Sequence, residues 1–445
     1  MAALGGLLFG YDTAVVSGAI GFLKAFYNLS PFWQGWAASC ALVGCIFGAA
    51  CAGVISDAIG RKKTLVLAAI LFLVSAIGTA LPKNLTMFII FRVIGGIGVG
   101  VASMTSPMYI AEISPAKIRG KMVTFCQLAI VIGILASFFV NYFIATPHSE
   151  EWNIQFGWRW MFGAEAVPAT LFMILLFFVP ESPRWIAKRG RHEKAFAILA
   201  RAGGEEFARA ELADIEDTIA HEEGSILQLF RPGFRLAIMV GVLLAVFSQC
   251  TGINVFMYYG PEIFKKIGMG TNAALLNTVF IGSTNLIFTF VAIKLIDKAG
   301  RKILLNVGLI GMAICLFAMS FATMYQKPIL MLIFVLGYIA SFAGSMGPVT
   351  WTMLAEIFPN RVRGRAMSIA TFSLWTTNYI VSQTFPMMNE NRVLIEKFHN
   401  AFPFWIYGSL CILAIVFSFK YIPETKGKTL EDIERFWISS TEKKR

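Results

Sequence analysis

The chain has 445 residues, of which 57% are hydrophobic and 14% charged, with a mean hydropathy of +0.68. A soluble domain carries about 25% charged residues, so a soluble enzyme or binding module is excluded and the chain reads as a membrane protein. The formal net charge of +12 would suit nucleic acid, but the basic residues follow loop parity instead of gathering in one patch, so no nucleic-acid partner is expected.

Apolar stretches of roughly 20 residues, each long enough to cross a hydrocarbon core about 30 Å thick, are centred near Phe9, Leu42, Leu73, Gly98, Gly133 and Leu171. After a charged interval they resume near Val246, Ser283, Ile314, Gly337, Thr376 and Leu410. Period-two alternation is absent, which leaves an all-α integral membrane protein with twelve transmembrane helices. The first stretch lacks a basic leader and contains Asp12, so it is a span and not a signal peptide. Of the 38 Lys and Arg residues, 28 fall on the side that holds both termini and the central loop, 8 on the other and 2 within spans. That bias puts both termini in the cytoplasm. The expected organisation is a six-helix half over 1–185, a cytoplasmic linker with short helices over 186–235, a second six-helix half over 236–425 and a cytoplasmic tail over 426–445. In the linker, Ala195, Ile198, Leu199, Ile215 and Ile219 recur at helical spacing, and about 45 residues are too few for a separate soluble domain.

Three strings occur twice. DAIGRKK at Asp57 returns as DKAGRK at Asp297, AEISPAKIRGK at Ala111 as AEIFPNRVRGR at Ala355, and PESPR at Pro180 as PETKG at Pro423. The offsets of 240, 244 and 243 residues predict an internal duplication, an arrangement that in transporters places the substrate between repeats near the midplane.

A charge at a helix centre costs roughly 2.5–3.5 kcal/mol on insertion scales, so each one is a functional candidate. Asp12 lies in span one, Arg92 in span four and Glu165 in span six, whereas Lys294 is near enough to a span end to snorkel. A buried aspartate and arginine are cheapest as a pair. Arg92 cannot release a proton at accessible pH, which leaves the carboxyls as carriers; a permanent packing pair is the alternative. The glycine string GGIGVG lies inside a span and follows no strand, so it reads as close helix packing and not a nucleotide loop. The seven cysteines, at 40, 45, 51, 126, 250, 315 and 411, form no C-x-x-C, and the histidines at 148, 192, 221 and 399 lie outside the spans without metal or triad spacing. No metal, cofactor or enzymatic centre is expected.

Span seven carries Gln249, Asn254, Tyr258 and Tyr259, span eight Asn285, span ten Trp351, and span eleven Trp375 and Asn378, while Gln127 and Phe9 of the first half can join them. Amides donate and accept, and indole faces stack on sugar C–H surfaces, so the set suits a neutral polyhydroxyl ligand. Gly260-Pro261 and Gly347-Pro348 are expected to interrupt spans seven and ten.

GGLLFGYDTAVVSGA, GRKK, RVIGGIGVGVASMTSPMYIAEISPAKIRGK, PESPRW, QCTGINVFMYYGPEIF, GPVTWTMLAEIFPNRVRG and PETKGKTLEDIE together resemble the sugar porters of the major facilitator superfamily over nearly the whole chain. The resemblance implies sugar contacts from Phe9, Gln127, Gln249, Asn254, Tyr258, Asn285, Gly347, Trp351 and Trp375. It implies Asp12 as the proton-linked acid, Arg92 as its partner and Glu165 as an auxiliary. Facilitative relatives typically carry asparagine at the Asp12 position, so the aspartate favours proton-coupled symport of a monosaccharide, with a facilitative uniporter as the alternative and a non-transporting sugar sensor as a more distant one; an inner-membrane location and a monomer are the default expectations. Asp57, Arg61, Glu112, Arg119, Arg301, Glu356 and Arg363 match the family's cytoplasmic gate charges, which would lock the outward-open state. Three departures remove amides from the expected site: Ser248 stands where the family usually has a glutamine, and Ile134 and Leu374 replace glutamines of a xylose-carrying member. A pentose or a hexose both fit this pattern.

Overall fold

Helices follow one another: α1 (Leu4–Tyr27), α2 (Pro31–Ile59), α3 (Arg61–Ala80), α4 (Leu85–Ile113), α5 (Arg119–Ala145) and, after a short helix Glu150–Trp152 and a π-helical segment Asn153–Gly157, α6 (Trp158–Gly163) and α7 (Ala166–Phe177). Three short helices come next, α8 (Pro183–Lys188), α9 (His192–Gly203) and α10 (Glu205–Ala220). The chain continues through α11 (Phe234–Cys250), α12 (Ile253–Lys266), α13 (Thr271–Ala299), α14 (Arg301–Met324), α15 (Pro328–Ala343), α16 (Met346–Ile357), α17 (Arg363–Asn389) and, after a short helix Arg392–Phe398, α18 (Phe402–Tyr421). This computed structural model describes residues 1–115, 118–220, 234–358, 363–428 and 437, without the side chains of 119–121, 218–220, 234, 297, 363 and 364.

Among the described residues, eleven helical segments are long and apolar enough to cross a membrane. The twelfth expected span is the 27-residue α17, long enough at 1.5 Å per residue but rich in hydroxyls and amides from Ser368 to Thr384. Those side chains turn inward or back onto the helix. Ser373, Thr376, Thr377 and Thr384 each return a hydroxyl to the carbonyl four residues earlier, and Asn378, Ser382 and Gln383 are buried.

The duplicated strings build the same local structure twice. Gly60 and Gly300 both hold positive φ, 99° and 93°, a conformation that favours glycine. Each turn opens a helix whose first amides need partners. Glu181 Oε1 accepts from Lys62 N at 2.9 Å, and Glu424 accepts from Arg301 N at 3.0 Å and Lys302 N at 3.1 Å. The glutamates of the P-E strings therefore cap α3 and α14 from about 120 residues away, where a carboxylate also meets the positive end of the helix dipole. Burial raises the Glu424 pKa, but the backbone N–H donors of Lys426, Arg301, Lys302 and Thr425 outweigh it and hold the group below its ordinary value.

Two compact units are distinguished. The first joins Met1–Thr13, Val43–Ser137 and Phe162–Glu223. Within it α3 packs along α4 and α7, and glycines let backbones meet: a Cβ on Gly10 would stand 1.9 Å from the Ile130 carbonyl, and one on Gly133 2.0 Å from that of Leu7. In GGIGVG a Cβ on Gly100 would stand 2.4 Å from the Cys45 carbonyl, so that string serves close packing, as expected. Ile186, Ala187, Ala195, Leu199, Ala208 and Ile215 form a small apolar core shared by α8, α9 and α10, and Trp185 Nε1 donates to the Asp57 carbonyl at the end of α2. Residues 221–233 of the expected linker lie outside the described residues.

The second unit joins Ala14–Leu42, Phe138–Met161 and Gly224–Arg445. Here α11 packs along α17, and α14 along α15 and α18. Ser39 Oγ donates to Gln383 Oε1 at 2.9 Å, Gln383 Nε2 donates to the Phe32 carbonyl at 3.1 Å, and Lys24 pairs with Glu390. These contacts tie the ends of α1 and α2 that face the 28–30 turn to the far end of α17.

The expected interruptions are present but displaced. Span seven breaks at Thr251-Gly252, where Gly252 adopts φ 84°, and Pro261 sits inside the continuous α12. Span ten breaks at Gly344-Ser345, three residues before Pro348, which occupies the first turn of α16. A proline in a first turn forfeits no intrahelical hydrogen bond, so it marks the start of the second segment and not the break. Span six is also interrupted, with Glu165 at the junction ahead of α7.

Candidate functional site: a buried charge cluster and an amide set

In the first unit, Arg92 Nη1 donates to Asp12 Oδ1 at 2.7 Å with both side chains at most 1% exposed. The pairing expected from the sequence is present. The glycine pair Gly95 and Gly96 follows Arg92 on α4, and a Cβ on Gly95 would touch Ser75 and come within 3.3 Å of Asp12 Oδ1. Small residues thus let α4 approach until the guanidinium reaches the carboxylate. The Arg92 guanidinium carbon also lies 5.3 Å from the centroid of Phe162, which is packed edge-on against Phe88. An aromatic face adds favourable electrostatics to a desolvated cation.

Glu165 is 1% exposed and lies close enough to Asp12 and Arg92 to interact with both charges. Asp12 Oδ2 and Glu165 Oε1 are both buried without a hydrogen-bond partner among the described residues, as are the hydroxyls of Tyr11 and Ser75. Two carboxylates and one guanidinium carry a formal charge of −1 in a desolvated site, and one added proton neutralises it. Tyr11, whose hydroxyl is buried, escaped the sequence reading although it directly precedes Asp12. Buried tyrosines are common in helical bundles, so its signal was only its place in the string. Phe9 and Gln127 of this unit are half-buried.

The second unit holds the rest of the expected set. Asn254 Nδ2 donates to Gln249 Oε1 at 2.7 Å across the break in span seven. Tyr338 on α15 donates its hydroxyl to the Thr251 carbonyl at 2.8 Å, satisfying a backbone group that the break frees. Tyr258 receives a long 3.5 Å hydrogen bond from Asn378, whose Oδ1 accepts from Ser382, and Tyr259 donates to the Ser382 carbonyl. Asn285 and Trp375 are buried, Gly347 is half-buried beside the break in span ten, and Trp351 is 36% exposed.

Of the gate charges, Arg61 donates to Asp57 at 2.9 Å and to Glu112 at 2.9 Å, and Ser182 also donates to Glu112. In the second unit Arg301 donates to Glu356 at 3.1 Å, and Thr425 donates to the other oxygen of Glu356. Ser182 and Thr425 are counterparts in the P-E-[ST] strings, and neither role was read from the sequence. The side chains of Arg119 and Arg363 lie outside the described residues.

Fold and site thus define a helical, multi-pass membrane protein with a duplicated helix-capping motif, a protein-buried charge cluster and a set of buried and half-buried amides. Residues 1–437 match the family model described as "Sugar (and other) transporter". The chain is 46% identical over 472 residues to the D-xylose-proton symporter of Escherichia coli K12, covering 100% of this chain and 96% of that protein. It is also 46% identical to the arabinose-proton symporter of Bacillus subtilis, covering 98% and 94%. The inward-open structure of the E. coli xylose transporter XylE superposes with a TM-score of 0.87 at 44% identity, covering 98% of each chain. The chain belongs to the sugar transporter family and has the fold of the major facilitator superfamily.

Proposed function

We propose that the protein is a proton-coupled monosaccharide symporter of the inner membrane, working by alternating access of the halves 1–185 and 236–425, with both termini cytoplasmic. The observation that carries the coupling is the Asp12–Arg92–Glu165 cluster. A net charge of −1 buried from water is costly, so the cluster is at its lowest cost holding one proton or when opening exposes it to solvent. Alternating access that hydrates the cluster from one side and then the other would carry that proton with the sugar. Arg92 stays charged throughout, and Asp12 is the acid that changes partner.

Two high-identity relatives bear the names of pentose–proton symporters, which supports both the substrate class and the coupling. Phe9, Gln127, Gln249, Asn254, Tyr258, Asn285, Gly347, Trp351 and Trp375 would contact the sugar through hydroxyl–amide hydrogen bonds and stacking. Asp57, Arg61, Glu112, Arg119, Arg301, Glu356 and Arg363 would hold the cytoplasmic ends together in the outward-open state and release them on inward opening. The test is reconstitution into vesicles: addition of D-xylose or L-arabinose to unbuffered medium should alkalinise it, and a pure uniporter would leave the pH unchanged.

A further inference from the structure

The break in span seven is bridged by a directional chain of hydrogen bonds. Asn254 Nδ2 donates to Gln249 Oε1 at 2.7 Å, Gln249 Nε2 donates to Ser248 Oγ at 3.1 Å, and Ser248 Oγ donates to the Ala245 carbonyl at 2.7 Å. Ser248 and Gln249 are 3% and 8% exposed, while Asn254 is only half-buried.

A hydroxyl has one hydrogen and an amide has two chemically opposite ends. With its hydrogen committed to Ala245, Ser248 can meet Gln249 only as an acceptor, so it selects the NH2 end of that amide. The carbonyl end of Gln249 then faces Asn254 and selects the NH2 end in turn. Asn254 Oδ1 is thereby directed away from Gln249, on the more exposed member of the chain.

We propose that Ser248 is a positioning residue for sugar selectivity: through Gln249 it fixes Asn254 with its carbonyl presented to the ligand, so the hydroxyl bound there must donate a hydrogen bond. This rests on the sugar-transport reading and deepens it. A second glutamine at position 248 could present either end of its own amide and would impose no such polarity. The serine converts two reversible amides into one oriented pair.

The experiment uses the purified full chain and competition against labelled D-xylose by D-xylose, D-glucose and their singly deoxyfluorinated analogues. Fluorine roughly keeps the size of a hydroxyl but cannot donate. The parent protein should disfavour fluorine at one ring position by about tenfold, the scale of one hydrogen bond. Ser248→Ala should reduce that discrimination to about threefold or less while leaving the other ring positions unchanged, and Ser248→Thr should restore it. Should Ser248→Ala not fold, Ser248→Cys, with a weak sulfur acceptor, is expected to behave in the same way. Unaltered discrimination in Ser248→Ala, with Gln249→Ala still losing sugar binding, overturns the positioning role and leaves the sugar reading intact. Absence of competition by any sugar in the parent protein overturns both.

Discussion

Replacing Asp12 by asparagine separates the two tasks assigned to it. The Asp12–Arg92 hydrogen bond spans 2.7 Å between side chains at most 1% exposed, and removing one partner of such a buried pair costs about 3–5 kcal/mol when the other is left uncompensated. Here it is not left alone, because Glu165 lies within reach of the same site and asparagine can still accept from Arg92 through its carbonyl. Asp12→Asn should therefore be destabilised by about 1–2 kcal/mol, and Asp12→Asn combined with Glu165→Gln by the full ~3–5 kcal/mol, more than the two single changes together. In vesicles with a one-unit pH gradient, one-to-one coupling supports about tenfold accumulation of sugar, since each pH unit is worth ~1.36 kcal/mol. The parent should approach that ratio. Asp12→Asn should equilibrate sugar without concentrating it, with counterflow retained. Accumulation near tenfold in Asp12→Asn would refute the coupling assignment, and an additive double mutant would refute the compensation by Glu165.

Other outcomes follow from contacts already described. Gly133→Ala forces a Cβ to within 2.0 Å of the Leu7 carbonyl, whereas Gly53 has nothing within 4 Å, so thermal unfolding in detergent should drop sharply for the first and stay within about 0.5 kcal/mol for Gly53→Ala. The Lys24–Glu390 pair is about a quarter exposed, so Glu390→Lys should change sugar KM by no more than about fivefold, with reversal on adding Lys24→Glu and a weaker effect at high salt. Glu424 is held below its ordinary value of 4.5. Its contribution is therefore complete above that pH and is lost as pH falls through the lower folded value, and Glu424→Gln should flatten this part of the acid limb of a stability profile.

The number, approximate position and helical nature of the spans were legible because lipid demands long apolar helices whatever their neighbours. The repeats were legible as strings, and so were their charges, but their physical role was not. That Glu181 and Glu424 cap helices opened by Gly60 and Gly300 depends on contacts across more than a hundred residues, which no local pattern encodes. The same holds for Lys24 and Glu390, separated by 366 positions. The Asp12–Arg92 pair was an exception, readable because two isolated charges in apolar runs had few possible partners.

The breaks were misread for an instructive reason. Proline suggested where helices should end, but the deciding residue at span seven is Gly252 with positive φ, and at span ten the turn precedes Pro348. Relocated, the breaks fall beside candidate functional residues. Glu165 stands at the junction in span six, Gln249 and Asn254 flank the one in span seven, and Gly347 follows the one in span ten. An intact helix offers a ligand only side chains on one stripe, whereas a broken one also frees backbone groups and can flex about the junction. Tyr338 occupies one such freed carbonyl at the span-seven break, which makes that junction ordered and leaves its amides to hold a fixed pattern. Selectivity and motion then need not compete for the same residues: the oriented Ser248–Gln249–Asn254 chain can define the ligand pattern while the charge cluster at the span-six junction responds to protons.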